Sequence, residues 1–245
     1  TCMRLPGRER AVGRGWVSDT FEEFQKKKYS RKVEFIRMLR AWWSRSADNV
    51  IVPSNYLANH VHYWGVKSNK IHVIYNSVDV SIHPVPTNAQ MKQPVKILTV
   101  ARLMPWKHID MIIKSIISLN EAGLIVVGDG PELENLKSLA IKYQIEDRVF
   151  FAGARDKAEV FSLMKTCDIF VLNSTYEGLP HVIIEAMHAG MAVVATRVGG
   201  TSEVIDDGYN GRLIQPLNEE ELYTALYELV KCTEERKRLG ENARS

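Results

Sequence analysis

Between Val95 and Val230 short apolar runs alternate with helical segments, and few folds accept that pattern. The runs Val95–Arg102, Gly123–Val127, Arg148–Phe151, Asp168–Leu172, Met191–Ala195 and Gly211–Ile214 read as strands. Between and after them, Ile109–Leu119, Pro131–Tyr143, Asp156–Lys165, His181–His188, Thr201–Ile205, Glu219–Val230 and Glu234–Asn242 read as helices, with Pro131 in a first turn. Strand and helix in strict turn imply crossover connections, hence a parallel sheet covered on both faces. The fold class is therefore α/β, with a Rossmann-like doubly wound sheet over residues 95–232 and a C-terminal helix at 233–245.

The front of the chain is less regular. Residues 1–20 are rich in Gly and Arg and show no period. A helical pattern is expected from Asp19 to Ala47, carried by Phe21, Phe24, Val33, Ile36, Leu39, Trp42 and Trp43. The Trp42-Trp43 pair is read as core packing against a neighbouring domain, with an interfacial anchor as the other option. Asn49–Pro53 and Lys70–Tyr75 read as strands flanking a helix, Ser54–Trp64, with Ser54 as its N-cap. The Pro-rich, aperiodic segment Asp79–Pro94 has linker chemistry. Residues 1–84 are thus expected to be the end of one domain and 85–94 a linker.

Charge divides along the same line. Residues 1–50 carry 12 Lys and Arg against 6 Asp and Glu, whereas the remainder carries 20 against 23. A basic front end suits a solvated helix face, and peripheral contact with an anionic inner membrane face stays open. Nucleic-acid binding would rest on charge alone and is not expected. No apolar run approaches the ~20 residues of a membrane span. The three cysteines, Cys2, Cys167 and Cys232, share no metal-ligand spacing, and a cytoplasmic, reducing compartment is expected.

Chemistry concentrates where strands end. In Asn173–Gly190, Glu177 and Glu185 stand eight residues apart, across a Gly-Leu-Pro turn between a strand and a helix. Ligands of doubly wound sheets bind at such ends, and the first amides of the helix can receive an anion. A carboxylate beside that anion site suits hydroxyl partners, so a ligand diol is the expected partner of Glu185. Taken blindly, the two glutamates are a loop acid and a solvated helix residue. Their company argues otherwise. Arg102 and Lys107 lie on the loop before the next helix, a fork and a point charge suited to a diphosphate. Gly128-Asp-Gly-Pro131 is a tight turn, and Phe151-Ala-Gly153-Ala154-Arg155 offers backbone groups for a base edge.

Four motifs in order, Ala-Arg-Leu-x3-Lys at 101–107, Gly-Asp-Gly-Pro at 128–131, Glu-Gly-Leu-Pro-x4-Glu-Ala-Met at 177–187 and Val-Gly-Gly-x2-Glu-Val-Ile-x-Asp-Gly at 198–208, carry a resemblance. The array resembles the C-terminal, donor-binding domain of retaining GT-B glycosyltransferases of family 4, the glycosyl transferases group 1. Residues 49–79 resemble the end of that family's N-terminal domain. The resemblance implies a transferase moving a sugar from a UDP-, GDP- or ADP-sugar to a hydroxyl acceptor, a sugar or a lipid-linked glycan, in polysaccharide or glycolipid synthesis. It implies Arg102 and Lys107 on the diphosphate, Glu177 at the donor sugar and Glu185 on the ribose. The amides of Gly178, Leu179, Pro180, His181 and Val182 are the stretch expected at sugar and phosphate, and Gly153, Ala154 and Arg155 at the base. No cofactor or metal is implied.

Three positions depart from the family pattern. Ala101 and His108 stand where glycine is usual, and Leu179-Pro180-His181 replaces a Phe-Gly-Leu type. His108 is expected to bring bulk and a titratable group near the phosphates. The chain starts at Thr1 and is expected to be a fragment of a longer enzyme that binds nucleotide but transfers poorly alone. The alternative is a nucleotide-sugar-binding module or half-enzyme completed by another chain.

Overall fold

The computed structural model describes residues 28–79, 81–86 and 91–244. It divides into two compact units, the first ending at Asn76 and the second beginning at Ser77. In the first unit, helix α1 (Arg31–Ser46) precedes strand β1 (Val50–Val52), helix α2 (Asn55–Tyr63) and strand β2 (Ile71–Val73). The two strands pair in parallel with Val50 opposite Ile71. Ser54 caps α2 as expected, its hydroxyl accepting from the Leu57 amide at 3.2 Å.

Two expectations fail in this unit. Residues 28–30 are not helical, so the pattern read from Asp19 does not continue unbroken; positions 1–27, with Phe21 and Phe24, lie outside the described residues. Instead Glu34 reaches back to accept the Tyr29 amide at 3.0 Å, ahead of the helix. Trp42 and Trp43, read as core packing, are 57% and 55% exposed. Helix α1 buries its Val33 and Ser44 side instead. Of the residues that carried the helical pattern, Val33 is buried while Ile36, Trp42 and Trp43 are exposed, so the spacing does not mark one buried stripe.

The second unit opens with strand β3 (Val95–Val100), helix α3 (Ile109–Ile116), strand β4 (Ala122–Val127), helix α4 (Leu133–Lys142) and strand β5 (Val149–Gly153). It continues through α5 (Lys157–Thr166), β6 (Ile169–Leu172), α6 (His181–Ala189), β7 (Ala192–Thr196), β8 (Arg212–Ile214), α7 (Glu219–Lys231) and α8 (Thr233–Arg244). The short helix read at Thr201–Ile205 is a 3-10 turn at Gly199–Glu203. Asp156 forms a capping box with Glu159, which sets the start of α5 at Lys157. The Val85 amide donates to Ser162 at 2.6 Å, tying part of the proline-rich segment to this unit.

All six strands of the sheet are parallel, in the order β5-β4-β3-β6-β7-β8. Successive residues of a strand point to opposite faces, so each strand serves two cores. Ile97, Leu124, Ile169 and Val194 join the core under α3 and α7, while Leu98, Ile125, Phe170 and Val193 join the one under α5 and α6. This explains why the strands read as nearly unbroken apolar runs. The chain leaves β3 outward through β4 and β5, then returns to β3's other edge with β6. The strand order reverses there, the place at which doubly wound sheets bind their ligands.

Candidate active site

The loop after β3 is fixed by its neighbours through backbone alone. The Ala101 amide donates to the Val127 carbonyl at 3.0 Å, and the Leu103 amide to the Asp129 carbonyl at 2.9 Å. The Gly128 amide donates in turn to Gly153 at 2.9 Å, so three strand ends form one stitched platform. Gly128 has φ +130, and a Cβ there would overlap the Ala101 carbonyl, which accounts for the Gly128-Asp-Gly130 motif. A cleft of about 500 Å³ opens on this platform, lined by Arg102, Gly128, Asp129, Ala154 and Arg155 among others. Arg102 is exposed there. Arg155 is half-exposed and pairs with Glu159 at 3.2 Å, one turn into α5.

Across the strand-order reversal, the Lys107 ammonium meets the Glu177 carboxylate at 2.5 Å. Both side chains are largely covered, at 16% and 11% exposure, so the pair sits where water screens it little. These two groups had been assigned to different parts of a ligand. Here each is the other's partner. The turn that carries Lys107 is sewn to the end of β6 on both sides of it. The Thr175 amide donates to the Trp106 carbonyl at 2.9 Å, and the Asn173 side-chain amide to the His108 carbonyl at 3.2 Å.

Glu177 is held from behind by the loop after β7. The Gly200 amide donates to the Gly178 carbonyl at 2.6 Å, and Gly199, with φ +59, lies so close that a Cβ would overlap the Glu177 carbonyl. Thr196, buried at the end of β7, accepts the Ser174 amide at 3.1 Å and donates to the Ser174 carbonyl at 2.6 Å. Sequence reading flagged the Gly-Gly pair but missed Asn173, Thr175 and Thr196. Their signal was only that small polar residues follow apolar runs.

Helix α6 starts at His181 with Pro180 at its cap position and no side-chain cap. The amides of its first turn therefore face outward, with the partial positive charge of a helix start. Leu179 is buried, so only its backbone can serve a ligand, and Val182 packs partly into the core. His181 is exposed. Glu185, one turn on, is half-buried and makes no ion pair among the described residues. Gly153, at the end of β5, has φ +71, and a Cβ built there would meet nothing within 4 Å, so the space beside it is open.

His108 adopts a left-handed conformation, φ 44 and ψ 45, which explains why glycine suits the position. Burial pushes its imidazole pKa down, the Asp110 carboxylate pulls it back and the Lys114 ammonium adds to the depression. The charges it feels thus belong to α3 rather than to Lys107 and Glu177. Among the described residues no three His, Cys, Asp or Glu side chains converge as metal ligands. Nor, among them, is any helix long and apolar enough to cross a membrane.

Comparison with known proteins places this geometry. The model of glycosyl transferases group 1 matches residues 86–245, and that of glycosyltransferase family 4 matches residues 16–82. An uncharacterized glycosyltransferase of Methanocaldococcus jannaschii is 32% identical over 213 residues, covering 82% of this chain and 54% of its own length. N-acetyl-alpha-D-glucosaminyl L-malate synthase of Bacillus anthracis is 31% identical over 209 residues, covering 81% and 54%. Among solved structures, Anabaena HepE in complex with UDP and glucose superposes with a TM-score of 0.76 at 26% identity, covering 88% of this chain and 62% of that one. The chain spans about half the length of the curated relatives it matches. The folds compared are GT-B glycosyltransferases, and this chain belongs to the glycosyl transferases group 1 family.

Proposed function

We propose that residues 77–245 are the donor-binding half of an enzyme that transfers a sugar from a nucleoside diphosphate sugar to a hydroxyl acceptor, with retention of configuration. The observation that carries this reading is the Lys107–Glu177 pair at the strand-order reversal, beside the uncapped start of α6. A cation, a carboxylate and a helix start converge where a diphosphate and a sugar would meet. HepE, whose complexes hold UDP and UDP-glucose, supports a uridine donor as the first to test.

In this reading Arg102 and the backbone amides of Gly178, Leu179, His181 and Val182 receive the diphosphate. Lys107 turns from Glu177 toward the bridging oxygen as the bond to the anomeric carbon stretches, and stabilises the charge that gathers on the leaving nucleotide. Glu177, released, holds hydroxyls of the donor sugar, and Glu185 accepts from the ribose diol. Ala154 and Arg155 frame the base across the cleft. The acceptor hydroxyl enters on the face from which the diphosphate departs, which gives retention without an enzyme nucleophile. Polysaccharide or glycolipid synthesis, with peripheral contact through residues 1–50, is the setting we assign.

Calorimetric titration with UDP, GDP and ADP, beside Glu185→Ala, tests the donor site. Saturable binding of one nucleotide, weakened at least tenfold in the variant, is expected. Unchanged affinity would remove Glu185 from the ribose, and no binding by any nucleotide would refute the donor site. In the complete enzyme, Arg102→Ala and Lys107→Ala should lower kcat far more than they weaken the bare nucleoside.

A further inference from the structure

Lys107 stands on a turn whose shape depends on the residue after it. His108 holds φ 44 with a full side chain, in a region of backbone space that disfavours any residue with a Cβ. Something must over-determine that conformation for it to persist. The geometry points to Asn173. Its side-chain amide, buried with 2% exposure, donates to the His108 carbonyl at 3.2 Å and lies 3.4 Å from the Met111 sulfur. The same carbonyl accepts the Met111 amide at 3.2 Å, so it joins the start of α3 to the end of β6. On the other side of Lys107, Thr175 anchors the Trp106 carbonyl.

We infer that Asn173 is a positioning residue for Lys107: it locks the left-handed His108, and through it the direction in which the ammonium is presented to Glu177 and to a donor diphosphate. The inference rests on the donor-site reading above for its ligand, but not for its mechanics. A glycine at 108 would adopt the same backbone without strain and would need the tether less. The two positions are therefore coupled, and the coupling is directional. Losing Asn173 matters when residue 108 carries a side chain and matters little when it does not.

The experiment is a double-mutant cycle on Asn173→Leu, which keeps the branched heavy-atom skeleton and removes the donor, and His108→Gly. The first readout is amide hydrogen exchange of the segment 104–109, which needs no ligand. The second is the affinity for UDP by calorimetry. Asn173→Leu alone is expected to speed exchange of that segment about tenfold and to weaken UDP about tenfold, the size of one misplaced charge-assisted contact. With glycine at 108 both effects should shrink to about threefold or less. Equal effects in the two backgrounds, or exchange that quickens across the whole sheet, would make Asn173 a core residue and overturn the proposal. Local exchange that obeys the cycle while UDP affinity stays fixed would overturn the link to Lys107. If the unmodified chain does not bind UDP, the donor reading fails by itself and the exchange cycle still decides whether Asn173 locks the turn.

Discussion

Gly199→Ala is the substitution whose effect follows most directly from the geometry. Gly199 sits at φ +59, and an added Cβ would overlap the Glu177 carbonyl, a backbone atom that cannot swing aside. Two costs combine. A left-handed alanine costs roughly 1 kcal/mol, and forcing a methyl into a filled site costs roughly 1–3 kcal/mol more. Gly208 supplies the control, because it has φ +77 but nothing within 4 Å of its added Cβ. Gly208→Ala should therefore carry the backbone cost alone, roughly 1 kcal/mol. For a unit of this size the thermal midpoint should fall by roughly 2–4 °C in Gly208→Ala and by roughly 5–12 °C in Gly199→Ala. The difference between the two isolates the clash. Relief of that clash displaces the Glu177 backbone by about 1 Å, enough to cost on the order of a hundredfold in a reaction that depends on its placement. Differential scanning calorimetry of the two variants is the assay, with UDP titration of each. Equal midpoints in the two variants would refute the close approach of the 198–200 loop to Glu177.

Three further outcomes follow from the same site and core. Glu177→Gln removes the carboxylate that competes for Lys107, so UDP should bind a few-fold tighter while sugar transfer in the complete enzyme falls at least tenfold; weaker UDP binding would mean the pair is not in competition with the ligand. Burial pushes the Cys167 thiol up to about 12, so iodoacetamide at pH 8 should leave it unmodified while labelling the exposed Cys232, as read by peptide mass. Rapid labelling of Cys167 in folded protein would contradict its partly buried place at the C-terminal end of α5. Burial of the His108 imidazole lets the unfolded chain take up a proton before the folded chain does. The stability this group contributes is thus complete above about pH 6.5 and declines as pH falls below it. His108→Asn, which tolerates the left-handed backbone, should lose less stability in urea between pH 7.5 and 5.5 than the unmodified chain; a larger loss would refute the assignment.

The alternation from Val95 onward was enough to give the sheet, because the central strands β4, β6 and β7 are buried along their whole length and helical segments separate them. Periodicity failed at α1, since it reports only how apolar residues are spaced and not which of them are covered. Val33 of that pattern is buried, whereas Trp42 and Trp43 are more than half exposed. The site was legible as types and spacings: Arg102, Lys107, Glu177 and Glu185 all sit at strand ends or a helix start. Their partners were not. Lys107 meets Glu177 across 70 positions of chain, a neighbourhood created by strand order and invisible to any window. Asn173 and Thr175 escaped for a related reason, because their importance lies in the backbone groups they approach rather than in their own chemistry. His108 was singled out for its ring, whereas the structure shows a left-handed backbone there that shapes the turn.

The reversal of strand order between β3 and β6 has a kinetic consequence. Two fastenings of the Lys107 turn reach across it, from 106 and 108 to 175 and 173, and Glu177 depends in turn on 199 and 200. A nascent chain that has completed β3, β4 and β5 holds the cleft lined by Arg102 and Arg155 but has no Glu177 with which to set Lys107. Contacts of such long range are paid for in loop closure and form late. During refolding, recovery of UDP affinity should therefore lag behind recovery of helical signal, and a bound nucleotide would report that both wings of the sheet have joined.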